Sequence, residues 1–289
     1  MFSRILWVAD GLLSQQPFHD GFYRVMNRIG IRYGCIQGVA HNIWCRDYMP
    51  VATAQGTLVQ FRYWPDYLVR SPKHRRTIVD ASTLVVERSR PRVQSDLIVD
   101  GGNVVLGPGY AILTRKVLRE NPHYTRHRLI AELGRLLGVD RIVLIPDDPL
   151  DFTGHADGMV SAYTNDTVLL NDYRNSDPEL GIRVRRALRE AGLRHELVPY
   201  APQGGTALGC YINFLRHIQG VVVPLYGLPE DEQALRRFAE LFPWHEVRGL
   251  DCRAIAQQGG SLHCITWATL PECCQPNPRV RPEPVTNRA

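Results

Sequence analysis

The sequence predicts an α/β protein made of about five β-rich units, each of which carries a helix. Short apolar segments rich in Val, Ile and Leu alternate with longer segments in which apolar residues recur at helical spacing. Turns of similar composition separate the units, although no sequence repeat with a fixed period is present. Because no linker divides the chain, we expect one domain over residues 1–272. Residues 273–289, with four prolines and three arginines, predict a flexible tail.

The strands are predicted from short β-prone runs bounded by turn residues. They are expected at 5–9, 33–39, 57–63, 96–106, 110–114, 141–145, 159–163, 167–171, 195–198, 210–217, 221–225, 245–250 and 261–266. The run at 96–106 is interrupted by Gly101-Gly102, so we expect a strand, a turn and a second strand there. Pro146 ends the strand at 141–145, and the runs at 159–163 and 167–171 predict a hairpin.

The helices are predicted from apolar residues at helical spacing. They are expected at 15–29, 77–87, 125–137, 178–191 and 230–242. The pattern is clearest at 125–137, where four leucines form one stripe and Gly138 ends the helix. Gly192 likewise ends the helix at 178–191.

Composition excludes several classes of protein. With 289 residues, of which 44% are hydrophobic and 22% charged, the chain resembles a soluble globular protein with a substantial core. No apolar run is long enough for a membrane helix, and the first ten residues lack the pattern of a signal peptide. Seven scattered cysteines without a CxxC pair argue against a disulfide framework and a zinc site. We therefore expect a cytoplasmic protein, and the vicinal pair Cys273-Cys274 receives no function.

The net charge of +5 comes mainly from arginine. The basic runs at 73–76 and 183–186 could contact phosphates, but the second lies on a predicted helix whose apolar residues leave the arginines exposed. A solvated face is the favoured interpretation. No zinc-finger spacing, aromatic RNA-binding motif or phosphate-binding glycine loop occurs. We expect no nucleic-acid partner and no membrane partner, and homo-oligomerisation stays open.

Four polar clusters are candidates for a functional site. The run after Gly259-Gly260 places a thiol, Cys264, in a short apolar segment behind a glycine turn. Such a thiol is either a nucleophile with space for a substrate or a small buried hydrophobe. The other clusters are Trp44-x-Arg46-Asp47-x-x-Pro50, Asp100-Gly-Gly-Asn103 and Gly154-His155-x-Asp157-Gly158. Each alone is also explained by a surface ion pair or by turn chemistry.

Together the clusters supply one thiol, one imidazole and three carboxylates. Three carboxylates that converge without a cation would raise one another's pKa and destabilise the site. They are compatible with a planar cation that carries many N–H donors, and a guanidinium fits this description. A nearby thiol could then attack the central carbon while the histidine transfers protons.

These motifs resemble, in the same order, those of the agmatine deiminase and bacterial (Porphyromonas-type) peptidylarginine deiminase family. The resemblance includes Tyr211-Ile-Asn-Phe214 with 221–227, and the segment from Gly259-Gly260 to His263-Cys264-Ile-Thr266; it runs from about residue 42 to 271. It implies the pentein fold, a five-bladed α/β propeller of pseudo-fivefold ββαβ units. It also implies hydrolysis of a small cationic guanidino compound to a ureido compound and ammonia, without a metal or organic cofactor.

The resemblance also assigns roles to individual residues. It places the nucleophile at Cys264 and the general acid/base at His155. It places the carboxylates that hold the guanidinium at Asp47 and Asp157, which are also counted as catalytic, and a third acidic substrate-binding position at Asp100. Two aromatic residues, Trp44 and Trp267, could pack on the substrate stem or belong to the core; of these, Trp44 is included among the expected substrate-binding residues.

Departures from the family pattern leave the substrate open. Agmatine deiminases usually have Glu at position 100, Asp at 42, Gly at 49 and Gln at 267, where this chain has Asp, Asn, Met and Trp. Agmatine is the first candidate substrate, free arginine the second, and peptidylarginine a variant. An amidinotransferase is the alternative enzyme class. A protein that only binds arginine tails would not need Cys264 and His155.

Overall fold

The computed structural model describes residues 6–84, 86–87 and 89–269. Its strands are β1 (Leu6–Ala9), β2 (Tyr33–Ile36), β3 (Val51–Ala52), β4 (Leu58–Arg62), β5 (Arg92–Ile98), β6 (Val105–Gly107), β7 (Tyr110–Thr114), β8 (Arg141–Ile145), β9 (Val160–Ala162), β10 (Thr167–Asn171), β11 (Arg194–Val198), β12 (Leu215–His217), β13 (Gly220–Leu225), β14 (Glu246–Asp251) and β15 (Trp267–Ala268). Its helices are α1 (Phe18–Arg28), α2 (Cys45–Tyr48), α3 (Asp66–Val69), α4 (Pro72–Arg75), α5 (Lys116–Glu120), α6 (Arg126–Leu137), α7 (Pro178–Glu190), α8 (Glu230–Leu241) and α9 (Arg253–Ala256).

The strands form five sheets of three strands each, ordered β15-β1-β2, β3-β4-β5, β6-β7-β8, β9-β10-β11 and β12-β13-β14. In each sheet the central strand has one antiparallel and one parallel neighbour. A parallel pair needs a long crossover, and in every sheet this connection contains a helix. The five predicted units are therefore confirmed as five ββαβ units.

The two ends of the described chain meet in the first sheet. Strand β15 pairs with β1 in antiparallel register, with Leu6 opposite Ala268 and Trp7 opposite Trp267. The last strand of the chain therefore completes the unit that the first strand begins. The same pairing fixes the turn before β15 against the start of the fold, and this turn contains Cys264.

Helix α6 forms where its sequence pattern predicts it. The Thr125 side chain accepts a hydrogen bond from the Arg128 backbone N–H (3.4 Å) at its N-terminus. Gly138 ends the helix in the left-handed conformation, with φ of 65°. The leucine stripe, Leu129, Leu133, Leu136 and Leu137, is buried against apolar residues of the neighbouring strands. Amphipathic spacing and two caps together determine the helix.

The helix predicted at 77–87 is wrong. The described residues of this segment contain only a short 3₁₀ turn, Ala81–Thr83. Asp80 caps that turn by accepting a hydrogen bond from the Ser82 backbone N–H at 3.0 Å. Short polar side chains that bond to nearby backbone groups favour turns over helix, and the β-branched residues here lower helix propensity further.

The strand predicted at 261–266 is also wrong, because residues 262–265 form a turn. The Ile265 N–H donates to the Ser261 carbonyl (3.2 Å), and the Thr266 N–H donates to the His263 carbonyl (3.2 Å). The strand predicted at 210–217 is correct only from Leu215 onwards. In both places the apolar run is buried in an irregular segment directly before the first strand of a unit. Local β-propensity does not distinguish such a buried segment from a strand.

Some sequence-based expectations lie outside the described residues. These include Cys273-Cys274 and the predicted tail at 273–289. Within the described part of the chain, no helix is long and apolar enough to cross a membrane. The cysteines described there, Cys35, Cys45, Cys210, Cys252 and Cys264, are free thiols.

Candidate active site

A pocket of about 500 Å³ brings together most of the predicted site residues. Asp47, His155, Asp157 and Cys264 all line it. They come from three separate parts of the chain, which the five-unit architecture brings together at this pocket. The motif analysis therefore identified side chains that lie in one cavity.

Each of the five units contributes a segment to this region at an equivalent place, immediately before its antiparallel first strand. Asp47 precedes β3, Asp100 precedes β6, the pair His155 and Asp157 precedes β9, Asn213 precedes β12, and Cys264 precedes β15. The antiparallel first strands of all the units therefore begin near a common centre. The pseudo-symmetry of the fold explains why short motifs far apart in sequence converge.

Asp47 is a buried carboxylate directed at this space. Its side chain lies on the short helix α2, and its Oδ1 atom accepts no hydrogen bond from any described residue. Burial, together with the charges of Asp157 and Asp100, raises the pKa of Asp47 to about 7, although His155 opposes the rise. A buried carboxylate with an unused oxygen is costly unless a cation pairs with it.

His155 is held by two carboxylates. Its Nε2 atom lies 2.8 Å from Asp100 Oδ2, and its Nδ1 atom lies 3.6 Å from Asp47 Oδ1. Burial lowers the pKa of His155, but Asp47 and Asp100 together raise it to about 10. The imidazole is therefore protonated at neutral pH, and because Asp100 occupies Nε2, Nδ1 is the ring nitrogen that lies towards Asp47.

The structure places Asp100 behind His155 rather than at the pocket surface. Asp100 is fully buried and is absent from the pocket lining. Its Oδ2 atom accepts hydrogen bonds from His155 and from Lys116 Nζ, the latter at 2.7 Å. Burial raises the pKa of Asp100, yet Lys116 and His155 lower it below its ordinary value. Asp100 thus contacts His155 and Lys116 through Oδ2, whereas its Oδ1 atom accepts no hydrogen bond from any described residue. Its assignment as a substrate-binding residue stays a prediction.

Cys264 is buried and is oriented by Asn213. The Asn213 Nδ2 atom donates a hydrogen bond to Cys264 Sγ at 2.9 Å. Asn213 Oδ1 accepts the backbone N–H groups of His263 (3.0 Å) and Cys264 (3.3 Å). Burial, together with Asp157 and Asp47, raises the pKa of the Cys264 thiol well above its ordinary value, although Asn213 opposes this rise. This environment therefore favours the neutral thiol of Cys264 over its thiolate.

Sequence reasoning did not assign roles to Asn213 or His263. Asn213 lies in the Tyr211-Ile-Asn-Phe214 motif, and this motif was the only signal for it. His263 Nδ1 lies 2.8 Å from Asp157 Oδ2, so it fixes the second carboxylate of the pocket. Both contacts join segments far apart in sequence, which explains why spacing did not reveal them.

The glycines beside Cys264 give its turn the shape that the sequence suggested. Gly259 has φ of 104°, a conformation that side-chain-bearing residues rarely adopt. A Cβ atom on Gly260 would lie 2.5 Å from the Trp44 ring. Trp44 is partly exposed and lines the pocket, packed against this turn. Trp267 instead belongs to the core: it is buried, and its Nε1 donates to the Pro50 carbonyl at 2.7 Å.

Gly102 lies directly beside three of the predicted site residues. A Cβ atom at Gly102 would stand 2.5 Å from Asp47 Oδ1, 2.7 Å from His155 Nδ1 and 3.1 Å from Asp157 Oδ2. Gly102→Ala is therefore expected to lower kcat/KM at least about 100-fold, because a methyl group would displace the groups that position the substrate. Steady-state assays of guanidine turnover check this.

Two other glycines serve as references for the Gly102 variant. Gly21→Ala, on helix α1 and remote from the pocket, is expected to retain activity, since its Cβ would meet only the end of the Leu250 side chain. Gly101→Ala is expected to lower the free energy of unfolding, because its Cβ would collide with the Arg46 carbonyl oxygen. A Gly102→Ala enzyme that is as active as Gly21→Ala would show that the side chains beside Gly102 do not position the substrate.

Comparison with known proteins agrees with this geometry. Residues 22–269 match the family described as Porphyromonas-type peptidyl-arginine deiminase. The chain belongs to this family. The similar proteins include the agmatine deiminase of Pseudomonas savastanoi pv. phaseolicola, which is 28% identical over 275 residues. That alignment covers 78% of this chain and 74% of the relative.

Solved structures show the same architecture as this member of the peptidyl-arginine deiminase family. The agmatine deiminase of Enterococcus faecalis has a TM-score of 0.70 at 18% identity, with 93% of each chain covered. The agmatine deiminase of C. jejuni has a TM-score of 0.69 at 15% identity, covering 91% of this chain and 92% of that one. With the five sheets, these likenesses confirm the pentein fold. Among the described residues, no group of three or more His, Cys, Asp or Glu side chains is arranged to hold a metal ion.

Proposed function

We propose that this protein is a guanidine deiminase that hydrolyses agmatine or a related arginine-derived guanidine to a ureido product and ammonia. The observation that carries the proposal is one pocket lined by a thiol, an imidazole and two buried carboxylates, Cys264, His155, Asp47 and Asp157. Membership of the peptidyl-arginine deiminase family and similarity to agmatine deiminases support it.

Binding begins with charge pairing. A guanidinium ion presents N–H groups in one plane and pairs with carboxylates in fixed geometry. Asp47 and Asp157 both line the pocket, so a guanidinium placed there would have two carboxylates as partners. The substrate cation would offset the repulsion that raises the pKa of Asp47. Substrate binding would therefore stabilise the buried charge of Asp47.

The same cation activates the nucleophile. Burial, Asp157 and Asp47 raise the pKa of the Cys264 thiol, and a bound guanidinium would reverse the effect of the two carboxylates. The thiol proton then leaves for solvent, and the resulting thiolate accepts the Asn213 N–H. Carbon and sulfur are brought together in one orientation, which is a positioning effect.

The reaction proceeds in two halves with His155 as proton carrier. In the first half, Cys264 Sγ bonds to the guanidinium carbon, and the protonated His155 gives its proton to one nitrogen. The C–N bond breaks and ammonia leaves with the electron pair, producing a covalent thiouronium. In the second half, neutral His155 removes a proton from water, whose oxygen bonds to the carbon. The C–S bond then breaks with its electron pair on sulfur, the remaining hydroxyl proton passes to solvent, and the ureido product and the thiolate form.

Asp100 has a different part in this scheme. We propose that it holds His155 through Nε2, so that the protonated Nδ1 points at the reacting nitrogen. Trp44 would border the substrate next to the turn that carries Cys264. Of the expected site residues, Asp100 alone acts on the substrate through another side chain.

The proposal is tested by measuring ammonia and ureido product from agmatine, arginine and an arginine blocked at both ends. We expect turnover of at least one of the three, with ammonia and ureido product in equal amounts. Correctly folded protein that turns over none of them would overturn the proposal. Turnover that requires an added amine, without ureido product, would establish amidino transfer instead.

A further inference from the structure

We propose that Lys116 is a positioning residue for the reaction: it keeps Asp100 aligned on His155, while Glu120 shares the same ammonium group. This inference rests on the proposed deiminase function. The pair lies on helix α5, outside the pocket and outside the motifs that the sequence singled out.

Lys116 is a buried cation at the back of the site. Its side chain is 1% exposed, and its Nζ atom lies 2.7 Å from Asp100 Oδ2. Nζ also donates to Glu120 Oε1 one helical turn later, and it lies 3.7 Å from Asp66 Oδ1. Glu120 Oε1 accepts the Asp66 backbone N–H at 3.1 Å. A buried ammonium between two buried carboxylates is costly to assemble, and it requires well-aligned contacts.

The network continues into the site without interruption. From Glu120 it passes through Lys116 to Asp100, through Asp100 to His155 Nε2, and through His155 Nδ1 to Asp47. Asp100 Oδ1 and Glu120 Oε2 are buried and accept no hydrogen bond from any described residue. Both carboxylates therefore depend on Lys116 as their close cationic partner at this end of the network.

Other groups also face Asp100 and Lys116. Asp47, Tyr63 and Tyr67 lie within electrostatic range of Asp100, and the Tyr67 ring centroid is 5.5 Å from Lys116 Nζ. The same ring packs edge-on against the His155 imidazole, with 6.0 Å between centroids. Tyr67 lines the pocket, so Lys116 also supports the wall that covers His155.

The charges of the network explain what each residue does. Burial raises the pKa of Asp100, and Lys116 is the largest influence that lowers it. Burial, followed by the charge of Asp100, raises the pKa of Glu120 to about 7, although Lys116 opposes the rise. Removing the cation should therefore let Asp100 protonate at accessible pH, whereas removing the Glu120 charge should not.

The test measures kcat at saturating substrate as a function of pH for Lys116→Met and Glu120→Gln. Saturation keeps Asp47 and Asp157 paired with the guanidinium, and Cys264 is unchanged in every variant, so a difference between the kcat profiles reports the groups behind His155. We expect Lys116→Met to lower kcat about 10- to 100-fold and to shift the acid limb of the kcat profile to higher pH than in wild type. KM should change less than about threefold, because Lys116 does not line the pocket.

Glu120→Gln is expected to behave differently. The acid limb of its kcat profile should stay at or below the pH of the wild-type limb, because Lys116 then pairs with Asp100 alone. Adding Lys116→Met to Asp100→Asn should cost less than about threefold, since the lysine acts through that carboxylate. Lys73→Met, at an exposed lysine on α4, is the matched control.

Three outcomes would overturn the inference. The first is a Lys116→Met enzyme with the kcat and pH profile of wild type. The second is a Lys116→Met/Asp100→Asn enzyme in which the losses of kcat multiply. The third is an acid limb at the same pH in both single variants. If Lys116→Met does not fold, a Glu120→Gln enzyme whose acid limb lies at higher pH than that of wild type would equally contradict the inference. Wild-type protein without deiminase activity would instead refute the proposed function.

Discussion

Replacing Cys264 by serine is expected to lower kcat by at least about 1,000-fold. The hydroxyl is similar in size and can accept the same hydrogen bond from Asn213, so the pocket should keep its shape. A serine oxygen is far less acidic than a thiol, and a bound guanidinium cannot ionise it at neutral pH. Chemistry is therefore lost while both carboxylates of the pocket remain.

The measurement combines ammonia release with calorimetric binding of the substrate. Binding by Cys264→Ser should stay within a few-fold of the KM of wild type, and mass spectrometry of acid-quenched wild type should show a thiouronium adduct that the variant lacks. Cys35→Ser, a partly exposed cysteine that does not line the pocket, should keep full activity. Substantial turnover by Cys264→Ser would remove the nucleophile from the proposed scheme.

Much of the site was predictable because its residues occur in short motifs. Asp47, His155, Asp157 and Cys264 line one pocket as the motifs imply, since each motif sits at the inner end of one unit. Helix α6 was predictable for a different reason, because spacing and both caps agree. Where local signals are consistent with the fold, sequence is sufficient.

The remaining features depend on tertiary contacts. Lys116 and Glu120 are four residues apart on a short helix, a spacing that is also typical of surface ion pairs. Only the fold buries them behind Asp100. The apolar run containing Cys264 has strand propensity, but two of its backbone N–H groups donate to the Asn213 side chain instead of to a neighbouring strand. The run therefore forms a turn. No residue in either segment carries that information alone.

Replacing Asp47 by asparagine is expected to remove activity and to stabilise the protein. In the proposed scheme the guanidinium loses one charged partner, and each lost charge-assisted hydrogen bond typically costs about 1.5–3 kcal/mol. We therefore expect kcat/KM to fall at least about 100-fold. The residual Asp157 would still attract the substrate but would no longer fix its plane.

The stability gain depends on pH in a defined direction. Because the pKa of Asp47 is raised to about 7 in the folded protein, its charge destabilises the fold. This cost is absent below about pH 3.8, grows as pH rises and is complete above about 7. Asp47→Asn should therefore gain on the order of 2 kcal/mol of unfolding free energy at pH 8, and almost nothing at pH 4.

Thermal unfolding at the two pH values measures this effect. A rise in Tm of about 5 °C at pH 8, absent at pH 4, is expected for Asp47→Asn. Asp140→Asn, which removes an exposed carboxylate, should shift neither value. An Asp47→Asn protein that is less stable at pH 8 would mean that His155 alone compensates the charge. A gain in stability with a loss of activity would instead mean that the fold carries an unfavourable buried anion whose proper partner is the substrate cation.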